Sequence, residues 1–149
     1  MSQKPDAYEA RHSLRAHNWL VHRIHDRALS DALHQYGAGV LLDIGCGEKP
    51  YRTLTRDVVS QHVGLDHPES LHSGNHVNLF ATAYQTAVAS NSVDTILCTA
   101  VLEHLERPQA AICEMYRILS REGMSSSLCH CSGICMRNRG ISTGLRHMG

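Results

Sequence analysis

From Val40 to Gly47 the chain reads Val-Leu-Leu-Asp-Ile-Gly-Cys-Gly. A short apolar run ending in an acid and a glycine turn is the pattern of a strand buried on both faces of a parallel sheet. Parallel strands cannot be joined by tight hairpins. Each needs a crossover, usually a helix. One such strand therefore commits much of a chain of 149 residues to alternating strands and helices.

The rest of the sequence agrees with that commitment. Asp6 to Tyr36 reads as a helix, with Leu14, Leu20, Ile24, Leu29 and Leu33 near a 3.6-residue period. Gly37 and Gly39 end it. Beyond the first strand, Tyr51 to Arg56 suits a short helix and His62 to Asp66 a second strand. Val77 to Phe80 is a weaker third strand, and Val93 to Cys98, after the Asn91-Ser92 turn, a fourth. Pro108 to Leu119 is an amphipathic helix with Ala111, Ile112, Met115, Ile118 and Leu119 on one face, and its proline suits the first turn. The fold expected is α/β, a Rossmann-like doubly wound parallel sheet of four strands preceded by an N-terminal helix. No internal repeat is visible.

The glycine turn lies at the carboxyl end of its strand, where open α/β sheets bind ligands, and glycines let a backbone approach what side chains would block. Asp66 closes the next strand about 20 residues on, where such folds place a carboxylate that accepts both ribose hydroxyls. The bland alternative is a tight strand–helix connection with no ligand. A dinucleotide fingerprint wants a third glycine at position 50, where this chain has Pro50, and the Gly-Lys-Ser/Thr of a phosphate loop is absent too. The turn therefore fits a nucleoside ligand without a pyrophosphate, which counts against a nicotinamide oxidoreductase.

Several strings resemble the class I S-adenosylmethionine-dependent methyltransferases, close to the methyltransferase type 11 group. Val40 to Gly47 is similar to their first motif and Val63-Gly64-Leu65-Asp66 to their second. Asn91 to Cys98 resembles the fourth strand, Val101-Leu102-Glu103-His104-Leu105 the segment after it, and Arg117 to Gly123 the glycine turn that follows. The resemblance implies S-adenosyl-L-methionine as cofactor. It implies that Gly45 and Gly47, with Cys46 between them, lie under its methionine and ribose portions, with Asp43 nearby, and that Asp66 holds the ribose. Thr82, Ala83 and Tyr84, within Phe80 to Gln85, would flank the adenine. The family commonly has an aspartate where this chain has Thr82, and a Leu-Pro where it has Thr86-Ala87, which bears on affinity rather than fold. Methyl transfer from a sulfonium is a direct displacement, and oxygen or nitrogen nucleophiles also need a base. His104, after the fourth strand, is the catalytic candidate; a purely structural role ordering the loop is the alternative. The methyl acceptor is not readable, and a non-catalytic nucleoside-binding or protein-interaction module remains the second reading.

Composition narrows the partners. Lys+Arg and Asp+Glu balance at 14 each, so no global field draws nucleic acid or an anionic membrane. No apolar run reaches the roughly 18–20 residues of a membrane span, and the start, Met1 to His12, lacks the apolar core of a signal peptide. A cytoplasmic protein is expected, and six cysteines do not argue otherwise.

At Gly123 the character changes. Residues 124–149 contain no Asp or Glu and show neither period. Cys129, Cys131 and Cys135 with His130 or His147 supply enough zinc ligands in number, but Cys-x-Cys-x3-Cys is not a standard spacing, so no metal site is expected. His12, His17, His22 and His25 are likewise too irregular for one. Read one nucleotide out of frame, with permitted third bases, Ser127 to Gly149 becomes TVPLLWHLHEEPRDFYRFTPYG, an apolar strand and a segment similar to what the family carries there. The organisation expected is a helical segment over 1–37, a partial cofactor-binding domain over 38–123, and an unstructured, out-of-frame tail over 124–149. Such a tail would leave the fourth strand as an open apolar edge.

Overall fold

The computed structural model describes residues 24, 26–71, 74–120 and 133–137. Helix α1 runs over 26–36, and its buried positions are Leu29, Ala32 and Leu33, the i, i+3, i+4 spacing of one helix face. Ile24, expected on that face, is 59% exposed. Residues 6–23 of the expected helix lie outside the described residues.

Strand β1 is Val40–Ile44, as its apolar run predicts. After the glycine turn comes one turn of helix α2, Arg52–Thr55, then β2, Gln61–Asp66. Strand β3 is only Leu79–Phe80. It is shorter than its sequence suggests because the side-chain oxygen of Asn78 accepts the Gly64 N–H at 2.9 Å, taking a donor that a longer ladder would use. Strand β4 is Thr95–Thr99. Val93 instead makes an isolated bridge to Leu119, accepting from Ser120 N at 2.9 Å. A 3-10 turn, Leu102–His104, leads to helix α3, Pro108–Ile118, whose C-cap Leu119 is already extended.

The sheet order is β3-β2-β1-β4-β5, and the first four strands are parallel. The expected four-stranded parallel sheet is thus present. One part of the segment beyond Gly123 departs from expectation: Gly133–Arg137 forms β5, antiparallel to β4, with Leu97 opposite Cys135. The edge of β4 is therefore paired rather than open. An unpaired row of backbone donors and acceptors is a template for whatever strand can reach it, with no need for a side-chain period. The remaining tail residues, and the side chains of Cys129, Cys131 and Cys135, lie outside what is described.

Strand alternation divides the core between two layers. Leu41 and Leu97 face α1 and α2, packing with Leu29 and Leu33. Leu42, Ile44, Leu65, Ile96 and Cys98 face α3, against Ala111, Met115 and Ile118. With helices on both faces, the carboxyl ends of β1, β2 and β4 are left as the open side of the sheet.

Candidate functional site

A cavity of about 240 Å³ opens at those carboxyl ends. Its walls include Gly45 from the β1 turn, Asp66 from β2, Ala83 from the segment after β3, and Val101 and His104 from the segment after β4. Four residues expected at the site thus meet around one space: Gly45, Asp66, Ala83 and His104.

The turn is built on Asp66. Its Oδ2 accepts from Gly47 N at 3.0 Å, and its Oδ1 from His67 N at 2.7 Å. Ser70 Oγ donates to Oδ2 at 3.3 Å. Gly45 N and Cys46 N both donate to Leu65 O, at 2.8 and 3.1 Å. The turn after β1 is therefore held against the end of β2 by three of its backbone N–H groups, those of Gly45, Cys46 and Gly47, before any ligand arrives. Gly45 has φ +73°, and a Cβ there would collide with Val101 Cγ2. Both conformation and space require glycine.

Beneath the turn, Asp43 is buried and its Oδ2 meets His62 Nε2 at 3.0 Å. His62 Nδ1 in turn meets Thr55 Oγ1 at 2.8 Å. Among the described residues Asp43 Oδ1 has no hydrogen-bond partner. Burial, reinforced by Asp43 and Asp66, pushes the Cys46 thiol up to about 11. Burial, with Asp43 and Glu103, pushes Cys98 up to about 12. Both thiols stay protonated at neutral pH, so neither is a nucleophile at this site.

The remaining expected residues are placed differently. Asp43, Cys46 and Gly47 lie behind the cavity wall as its support. Thr82 is occupied locally, its Oγ1 accepting from Gln85 N at 3.1 Å. Tyr84 points to the start of α3: its hydroxyl accepts from Arg107 N at 3.3 Å, and the Arg107 guanidinium lies 5.1 Å from its ring centre. Neither lines the cavity. His104 does, and among the described residues its ring has no hydrogen-bond partner. His67, Ser70, Ala81, Ala100 and Leu105 also line it. Ser70 was legible only as the residue one helical turn beyond Asp66, too weak a signal to single it out.

The segment carrying Ala83 is fastened to α3 by Glu114. Its Oε1 accepts from Thr86 N at 2.9 Å and Thr86 Oγ1 at 2.8 Å, and its Oε2 from Arg117 Nε at 2.7 Å. Arg117 also reaches Val88 O at 2.7 Å. The Arg117 hydrogen bond is the main reason the Glu114 carboxyl is held at about 2, below its ordinary 4.5. A depressed carboxylate stabilises the fold above its unfolded value and loses that contribution as pH falls through the folded one. Stability should therefore drop between about pH 4.5 and 2, and Glu114→Gln should flatten that part of a denaturation-against-pH profile. An unchanged acid limb in the variant would contradict this assignment.

The space, the glycines and the acid fit an adenosyl group: a side-chain-free turn, small alanines at 81, 83 and 100, and a carboxylate at the rim. A second cleft, of about 680 Å³, lies against α2 and shares no lining residue with this one.

Comparison with solved structures places the fold. The YcgJ protein from Bacillus subtilis is 21% identical with a TM-score of 0.55, over 65% of this chain and 47% of that one. An S-adenosylmethionine-dependent methyltransferase from Archaeoglobus fulgidus is 19% identical with a TM-score of 0.53, over 72% of this chain and 55% of that one. A chain from the complex between the Haloferax volcanii Trm112 methyltransferase activator and a methyltransferase is 20% identical with a TM-score of 0.53, over 82% and 59%. The chain thus spans about half the length of the structures it resembles. No curated protein matches the sequence. Residues 42–126, more than half of the chain, match the family described as a methyltransferase domain. The match starts inside β1, takes in the Asp66 turn and α3, and stops where the periodic pattern stops: the chain belongs to the methyltransferase type 11 family.

Proposed function

We propose that this chain is the cofactor-binding half of an S-adenosyl-L-methionine-dependent methyltransferase. The observation that carries the reading is the convergence of Gly45, Asp66, Ala83 and His104 on one cavity at the carboxyl ends of β1, β2 and β4. The Gly45–Gly47 turn would lie under the methionine and ribose portions. Asp66 would accept the ribose hydroxyls, with Ser70 giving way to them, and Ala81 and Ala83 would flank the adenine. When bound, the cofactor supplies a methyl group on a sulfonium, which leaves as a neutral thioether. The protein's part is to hold an acceptor in line with that methyl. His104, facing the same space with no ring hydrogen bond among the described residues, would take the acceptor's proton. No helix among the described residues is long and apolar enough to cross a membrane, and a cytoplasmic location is part of this reading.

Titration calorimetry on the full chain tests it. S-adenosylmethionine and S-adenosylhomocysteine should bind saturably and compete with each other, and NAD should not displace them. Failure of both to bind would sink the proposal.

Turnover is a separate matter. The strand on β4, Gly133–Arg137, runs antiparallel, in place of the apolar strand and following segment that the family resemblance calls for there. That observation favours a second reading, a module that binds the nucleoside without catalysis. A tritium-release assay with candidate acceptors should show little methyl transfer, and any residual rate should fall in His104→Ala by more than cofactor affinity does. The out-of-frame reading of the tail would account for the loss, and the family match ending at residue 126 supports it. The nucleotide sequence across codons 120–130 decides: an alternative frame that stops at once would refute it.

A further inference from the structure

The larger cleft, about 680 Å³, is bounded by α2, the first half of β2 and residues 75–78. It exists because residues 67–71 and 74–78, between β2 and β3, form no helix, so the face of β2 beside α2 lacks an outer layer. An uncovered sheet face of this kind would ordinarily need apolar cover. Here it is lined by polar groups, among them Lys49, Arg52, Arg56, His62 and His76. Among the described residues no carboxylate lines it.

The cations are arranged rather than scattered. Arg56 caps α2 with helical dihedrals, φ −52° and ψ −42°, so Arg52 and Arg56 stand one turn apart on the same side. Both are exposed, and neither guanidinium has an ion pair or hydrogen bond among the described residues. Lys49 forms the floor. It adopts φ +51°, a left-handed conformation unusual for a residue with a side chain. Its stem lies across Gly64, where a Cβ would strike Lys49 Cε and come within 2.6 Å of Cys46 Sγ. Among the described residues its ammonium is held by two neutral acceptors, Asn78 Oδ1 at 2.6 Å and His62 O at 3.2 Å. Glu48, the acid beside it in sequence, is turned to His76 at 3.9 Å. Three basic side chains therefore face one space with no acid among the described lining residues to neutralise them, in a chain whose overall charges balance at 14 each.

We propose that this cleft binds the phosphate group of a small molecule, at a second site separate from the cofactor cavity. A phosphate offers several acceptor oxygens to forked guanidinium donors and a point charge, the combination presented by Arg52, Arg56 and Lys49. The group could belong to free inorganic phosphate or to a sugar phosphate ester, and the probes distinguish them.

The test titrates the full chain with inorganic phosphate and, separately, with ribose 5-phosphate. Saturable binding of either is expected, weakened by added salt. Tighter binding of the ester identifies an ester site, and equal binding a free-anion site. The double variant Arg52→Gln/Arg56→Gln should lose about tenfold or more in affinity, with its circular dichroism and S-adenosylmethionine binding unchanged. Lys49→Met should weaken the same probe. Asp66→Ala should leave phosphate binding intact, which separates failure here from failure of the cofactor assignment. No saturable binding, equal affinity in the double variant, or loss in Asp66→Ala would overturn the proposal. So would a single-stranded oligonucleotide that binds through Arg52 and Arg56 much more tightly than ribose 5-phosphate.

Discussion

Asp66→Ala is expected to weaken S-adenosylmethionine binding by roughly 10- to 150-fold, the loss of one charge-assisted hydrogen-bonding group of about 1.5–3 kcal/mol. The carboxylate has two duties. It accepts from Gly47 N at 3.0 Å, fixing the turn, and it faces the cavity where a ribose would sit. Alanine removes both, leaving the Gly47 N–H without its partner. Asp66→Asn keeps the shape and one acceptor oxygen while removing the charge, so its affinity should fall between those of wild type and alanine. Calorimetry on the three proteins gives the order directly. Equal affinity in all three would mean that Asp66 is only a clasp for the turn.

The largest effect on stability is expected from Ile96→Ala. Ile96 is fully buried in β4, paired in register with Leu42 of β1 and packed in the layer with Met115 and Ile118. Deleting its side chain removes buried apolar surface and leaves a cavity that close-packed neighbours fill only in part, at about 2–5 kcal/mol. Against a total of about 5–15 kcal/mol for a typical domain, that takes away a large part of the fold's margin. Urea denaturation should show a much lower midpoint. Ile24→Ala, at a position 59% exposed, should move it little. Similar midpoints for the two variants would mean that the β4–α3 layer does not bear the core.

The parts of this fold that could be read in advance are those where one local pattern has one physical solution. Val40–Ile44 is apolar at every position but one and ends in glycines, and the strand has those same bounds. Asp66 follows from strand length and the direction of a parallel sheet. Thr82 and Tyr84 do not line the cavity, for two different reasons: Thr82 is taken up locally by Gln85 N, whereas Tyr84 is drawn to the distant Arg107, with the segment after it anchored by Glu114 on α3. Strand β5 was illegible for another reason. Its pairing answers to the open edge of β4, not to any period of its own. The α2 cleft was hidden because it comes from the lack of a helix between β2 and β3, and a short polar stretch does not announce what it leaves uncovered.

Because β5 runs opposite to β4, the chain joins the sheet at Gly133, across from Thr99, and departs at Arg137, across from Thr95. Thr99 adjoins the cavity-lining Ala100 at the rim of the cofactor space, and Thr95 is at the other end of the strand. Over five residues that separates entry from exit by about 13 Å. A fluorophore grafted at position 133 would sit near the mouth and sense ligand arrival. One at position 137 would sit on the floor of the sheet and stay silent, so the two labels together turn strand direction into an optical signal.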